Sequence, residues 1–226
     1  MPTLTHNSAV QIRSVYSDGD LVISRDATLR TDLINGTASG QANGLWFGTL
    51  TLAAAAATTL DLRALESTIL GGTVTTGFSA VKQITISNAS TGATLTIDQG
   101  TSNGWTQVTA YLVGASGVAV HYAPVAGLPT TTTSKTLRVT NNATAVVTAG
   151  NTTNGSTAVA GISSTASLAI GMAVSGTGIP AGTTVAEITS GTAVVLSAAA
   201  TATGSAVSLT YQWVAVVEVS VVGVFV

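Results

Sequence analysis

The sequence predicts an all-β fold, a β-sandwich or jelly-roll main domain with a small inserted β module. Runs rich in Val, Ile, Leu and Thr alternate with a period of two, and Gly, Asn and Ser clusters separate them at intervals of roughly eight to twelve residues. Charged residues make up 7% of the 226, where an ordinary soluble domain has roughly 25%, so Thr, Ser, Asn, Gly, Ala and Val must form most of the surface.

In chain order, residues 9–16 and 20–24 read as two strands joined by Ser17-Asp18-Gly19, because Asp-Gly is a strong turn signal. A polar loop over 35–44 precedes Leu45–Leu52, which resumes the alternation. Ala53–Ala57 could extend a helix, but Thr58, Thr59 and the Leu60/Leu62 alternation favour β and leave room for one helical turn over 63–67. Strands follow over 81–88 and 93–98 around Ala89-Ser90-Thr91-Gly92, which has the composition of a hairpin loop. Segments 107–113, 118–122 and 136–140 continue the series.

At the end of the chain Trp213, Ala215, Val217, Val219, Val221, Gly223 and Phe225 share one face of a strand, while Glu218 and Ser220 take the other. The first face points to a core, and the expected partner is 136–140. Pairing those two sets aside what lies between, so the expected division is a main domain of residues 1–145 plus 211–226 and an inserted β domain of 146–210. Within the insertion, short strands are expected near 156–162, 171–175, 183–189, 192–197 and 205–211, and Glu187 is the one charge.

A net charge of −2 gives copies of the chain little mutual repulsion, and near-neutral surfaces associate. Twelve of the sixteen charges lie in residues 1–98, and none falls between Arg138 and Glu187. With no Cys, neither a disulfide framework nor a thiolate metal site is available. Met1–Val10 lacks the basic-then-apolar pattern of a secretory signal. The apolar stretch Trp213–Val226 contains Glu218 and is too short for a spanning helix, so no membrane role is expected. Seven scattered basic residues are too few for a phosphate-neutralising patch, and direct nucleic-acid binding is not expected.

Catalytic chemistry finds little support. Ser-based nucleophilic catalysis needs a base, and the chain offers His6, near the start, and His121, inside a strand beside Tyr122. No Gly-x-Ser-x-Gly elbow accompanies them. Asp18 and Asp20 could contribute to a Ca²⁺ site only if several more oxygens converged, and a turn explains both residues. Gly176-Thr-Gly178-Ile-Pro-Ala-Gly182 lacks the Lys and the helix of a phosphate loop and reads as a turn. The sequons at Asn35, Asn88, Asn142, Asn151 and Asn154 arise by chance in so polar a composition. No catalytic, cofactor-binding or metal-binding residue is assigned, and no cofactor is expected. Trp46, Phe47, Tyr111, Tyr122 and Trp213 are expected in the core. Trp105 follows Ser102-Asn103-Gly104 in a loop, where an exposed ring could serve as a surface anchor for a neighbour or a sugar.

The stretch Gly171-Met-Ala-Val-Ser-Gly-Thr-Gly-Ile-Pro-Ala-Gly-Thr-Thr-Val185, with Val194–Gly204, resembles a small β module of tailed-bacteriophage structural proteins. The flanking strands Val81–Asn88, Ala93–Ile97, Lys135–Asn141 and Val217–Gly223 are similar to another phage pattern, found in virion components attached to the capsid. The resemblance implies a non-enzymatic virion structural protein, a capsid decoration or cement subunit on the capsid surface. Its implied partners are the major capsid protein or other virion proteins and further copies of the chain, a trimer being compatible with a place among capsid hexamers. A tail, fibre or baseplate protein, and a carbohydrate-binding or adhesin-like module, are the alternatives.

Overall fold

The computed structural model describes the backbone of residues 6–18, 21–69, 72–123 and 125–226, and side chains from residue 36 onward except 68–72 and 124. The chain is all-β, with no helix among the described residues. It opens with β1 (His6–Asp18) and β2 (Leu21–Asn35), an antiparallel pair, followed by the short β3 (Gln41–Ala42) parallel to the end of β2. Next come β4 (Gly44–Leu52), β5 (Ala57–Asp61), β6 (Leu65–Ile69), β7 (Gly72–Thr76), β8 (Phe78–Asn88) and β9 (Leu95–Gln99). The series continues with β10 (Tyr111–Val113), β11 (Val118–Tyr122), β12 (Leu128–Pro129) and β13 (Thr136–Asn141). Then follow β14 (Val146–Thr152), β15 (Ala158–Val159), β16 (Ala173–Gly176), β17 (Val185–Ser190), β18 (Ala193–Leu196), β19 (Gly204–Gln212) and β20 (Ala215–Phe225).

Two sheets form a sandwich. One has the order β11-β8-β20-β4 with β12 beside β8, and the other has the order β10-β9-β13-β5. Leu52, Ile84, Ile86, Val217, Val219 and Val221 from the first pack with Leu60, Leu95, Ile97, Leu137 and Val139 from the second in one buried cluster, as period-two alternation requires of a sheet with one covered face. Residues 146–212 build two further sheets, β14-β19-β16 and β15-β18-β17. Val159, Ile162, Met172, Val174, Val194, Leu196, Leu209 and Tyr211 bury a second cluster there.

Three expectations change. The segment over 63–67 holds no helical turn; a tight turn over 62–64, closed by Ala64 N on Asp61 O at 2.9 Å, leads into the β6–β7 hairpin. Ala89–Gly92 is not a hairpin loop, because β8 and β9 lie in opposite sheets. The chain crosses between them at a corner where Asn88 Nδ2 donates to the carbonyls of Ala93 at 2.8 Å and Gly114 at 2.9 Å, and Ser90 Oγ accepts from Ala93 N at 2.9 Å. Finally, β20 does not pair with 136–140. It lies between β4 and β8, while β13 sits in the facing sheet between β5 and β9.

What joins β13 to β20 is a side chain. Asn141 is buried, and its Nδ2 stands 3.0 Å from the carbonyl oxygens of Leu52, Ala53 and Trp213. The points where the chain leaves for residues 146–212 and returns are thereby held together. Trp213 packs against both clusters. A Cβ at Gly92 would meet its ring at 2.1 Å, and one at Gly171 at 3.4 Å, so the indole lies between a glycine of the sandwich and a glycine of the second region.

Candidate interaction surface

The residues weighed for catalysis do not converge. His121 stands on β11 opposite Ile84, with its ring 4.9 Å from that of Tyr111, and burial lowers its pKa. The side chain of His6, and Gly19 and Asp20 of the Asp-Gly-Asp turn, lie outside the described residues. No group of three metal-ligating side chains occurs among the described residues. Gly178 and Gly182 have φ of 75° and 78°, backbone that glycine adopts without strain, and they shape the turn between β16 and β17. Asn88, one of the sequon residues, is buried.

Trp105 is corrected. Its exposure is 0%, and its Nε1 donates to the Pro129 carbonyl at 2.9 Å. The ring lies within the sandwich core, so it cannot act as a surface anchor. The loop composition of Ser102–Gly104 describes the backbone before it; burial of a large indole whose N–H finds a carbonyl decides where the ring goes. Phe47 is corrected in the opposite sense, being 66% exposed. Adjacent residues of a strand point to opposite faces, so only one of Trp46 and Phe47 can face the core. Trp46 takes that place, donating from Nε1 to Glu66 O at 3.0 Å. Gly48 leaves room for it, since a Cβ there would stand 2.2 Å from the Trp46 ring.

The two outer faces of the sandwich differ in kind. On the β10-β9-β13-β5 sheet, Arg138 forks onto Asp98, Nε to Oδ1 at 2.8 Å and Nη2 to Oδ2 at 2.6 Å, which raises the Arg138 pKa. Lys135 Nζ lies 2.6 Å from Asp61 Oδ2 nearby. On the β11-β8-β20-β4 sheet, the register places Phe47, Ser220, Thr85 and Val120 in one row across the strands. The next row is Thr49, Glu218, Ser87 and Val118. Val118 is 61% and Val120 41% exposed, and Leu45 and Val216 on the same face are exposed as well.

Among the described residues, Glu218 is the single charge in these two rows. Between it and Phe47 the small side chains of Thr49, Thr85, Ser87 and Ser220 leave a depression of about 390 Å³. One end of the face is closed where Val222 is buried against Ala42 of β3; the rest is open. The arrangement offers no acid–base pair, and what it can do chemically is bury apolar area around one carboxylate. No family model matches the chain, and no curated protein or solved structure matches it either.

Proposed function

We propose that the chain is a non-enzymatic structural protein of a tailed-phage virion, a capsid decoration or cement subunit that stabilises the shell through protein–protein contacts. The observation that carries the assembly part is the outer face of the β11-β8-β20-β4 sheet, where Phe47, Val118, Val120, Leu45 and Val216 stand exposed around one carboxylate. Large apolar side chains exposed on a face with little charge favour protein contact, and a chain with 7% charged residues has little else with which to keep copies apart. The virion part rests on the resemblance of 171–204 and the flanking strands to phage modules. In this reading residues 146–210 form an inserted module that projects from the shell-bound sandwich, and the partners are the major capsid protein and further copies of the chain.

The test is co-sedimentation and cryo-electron microscopy with capsid shells of the phage whose genome carries the chain. Added protein is expected to decorate the shells, and Phe47→Asp is expected to abolish the decoration. Sedimentation with purified tails alone would move the chain to a tail, fibre or baseplate. A chain that joins neither and stays monomeric at high concentration would overturn the assembly reading. A glycan-binding module through Trp105 is not favoured, since that ring is buried.

A further inference from the structure

We propose that the free edge of β4 pairs antiparallel with the same edge of a second copy of the chain, about a two-fold axis at Gly48. This surface is separate from the sheet face described above, and the pairing goes beyond the shell-binding reading.

The ladder fixes which backbone groups of β4 are open. Ala89 N donates to Val216 O at 2.9 Å, so the even-numbered residues of β20 turn their N–H and C=O toward β8, and Val217, Val219 and Val221 turn theirs toward β4. Their partners by register are Leu50, Gly48 and Trp46. The intervening Leu45, Phe47, Thr49 and Thr51 therefore point their backbone groups away from β20, where these meet no partner among the described residues. A groove of about 570 Å³ lies beside this edge, between Trp46–Leu50 and residues 59–67.

Nothing in the strand guards that edge. Exposed edges are ordinarily kept from pairing by charge, Pro, bulges or short length. β4 has nine residues, none of them charged and none Pro, and its register against β20 runs without a shift. Among the described residues, the other strands with an open edge are five residues or shorter, or shift register as β14 and β17 do, or carry Arg and Asp as β1 and β2 do.

Another strand's backbone satisfies such an edge, and β4 is its own complement. With Gly48 opposite Gly48, Phe47 faces Thr49 and Leu45 faces Thr51 of the second copy, and the reverse: four narrow pairs, each exchanging two N–H···O bonds. Moving the axis to Phe47 or Thr49 leaves three. The axis falls on a wide pair, where side chains come closest, and glycine has none to clash. In the same register Trp46 lies beside Leu50 of the second copy and covers a side chain that the sandwich leaves half-buried. Charge does not oppose the contact. Glu218 stands one strand in from the edge, so its two copies lie three strand spacings apart, roughly 14 Å, beyond the screening length of about 8 Å. The two Trp46, each with Glu66 at its indole, are separated by four residues along the strands, again roughly 14 Å.

The chain has no Cys, which makes the register testable in the full chain. An oxidised mixture of the single variants Phe47→Cys and Thr49→Cys is expected to give disulfide-linked dimers on non-reducing gels, because a narrow pair holds its Cα atoms at about 5.5 Å, within bonding reach. Either variant alone should stay unlinked. No link in the mixture, or an equal link in one variant alone, overturns the proposal. Thr49→Pro is the second arm: it removes an N–H that points away from β20, a place where an edge strand tolerates Pro. The two-fold deletes that bond twice, so dimerisation should weaken about tenfold or more by light scattering, with circular dichroism unchanged. Should this variant fold poorly, Thr49→Lys, a guard of the kind edges carry, is expected to weaken dimerisation equally. A folded variant that dimerises like the parent overturns the pairing. A parent chain that stays monomeric but still decorates shells overturns it as well, and leaves the shell-binding reading standing.

Discussion

The sandwich and the region 146–212 both bury backbone in a chain with few charges, and both use short hydroxyls, but the sandwich leans more on long polar side chains. In the sandwich, long polar groups reach across: Asn141 serves three carbonyls from separate segments, Asn88 ties the corner between the sheets, and the indoles of Trp46 and Trp105 each find a carbonyl. In residues 146–212 short hydroxyls serve one carbonyl each, Thr152 that of Ala202, Thr165 that of Ser190 and Thr183 that of Pro180. The Tyr211 hydroxyl there is buried with no hydrogen-bond partner. The difference teaches that the sandwich depends on a few amides holding remote pieces in register, whereas the second region depends on apolar packing with local ties.

The largest expected effect falls on those amides. Asn141→Ala takes the buried amide donor from the carbonyls of Leu52 and Trp213, and from that of Ala53, which keeps Ala56 N at 3.1 Å, and a loss of about 3–5 kcal/mol is expected in urea unfolding. A loss below about 1 kcal/mol would erase the distinction. In the second region Leu209→Ala empties space in a fully buried position and should cost about 2–4 kcal/mol. Its signature is regional: hydrogen exchange should accelerate over 146–212 while the amides of β8, β13 and β20 keep their protection.

Acid separates the regions next. His121 belongs to the sandwich, and burial lowers its pKa, so between that value and about 6.5 the unfolded chain binds the extra proton. Its contribution to stability is present above about pH 6.5 and is lost as pH falls below it. Thermal unfolding should therefore show the sandwich weakening from neutral pH toward pH 5, a slope that His121→Gln flattens. The smallest effect is a gain. Tyr211→Phe removes an unpaired buried hydroxyl, and about 1 kcal/mol of added stability is expected. Burial pushes the Tyr211 pKa up to about 12, so the unfolded chain ionises first. The parent loses stability as pH rises past about 10, and the variant should lose less.

Much of the strand pattern was legible because alternation is local. The strands expected near 171–175, 183–189, 192–197 and 205–211 correspond to β16, β17, β18 and β19. The parity of the last strand holds from Ala215 to Val221 and fails beyond it: the β20–β8 register shifts after Val222, skipping Lys82, and Phe225 is exposed. A bulge inserts one residue in one strand only, and nothing in the β20 sequence records an insertion in β8. Strand partners were illegible for a related reason. Val217–Val221 fits any apolar face, and its place between β4 and β8 is set by contacts remote in sequence. The candidate surface was half visible, since Trp46 and Phe47 must face opposite ways, but which ring goes inward is decided by the vacancy at Gly48.

Trp213 turns the junction between the regions into something that can be watched. The other two tryptophans, Trp46 and Trp105, are shielded at 6% and 0% exposure, while Trp213 is half-buried between Gly92 and Gly171. Collisional quenching by acrylamide therefore reports on this one indole in the native protein. Any agent that prises the two regions apart registers as a brighter target for the quencher and a red-shifted emission before either core has melted.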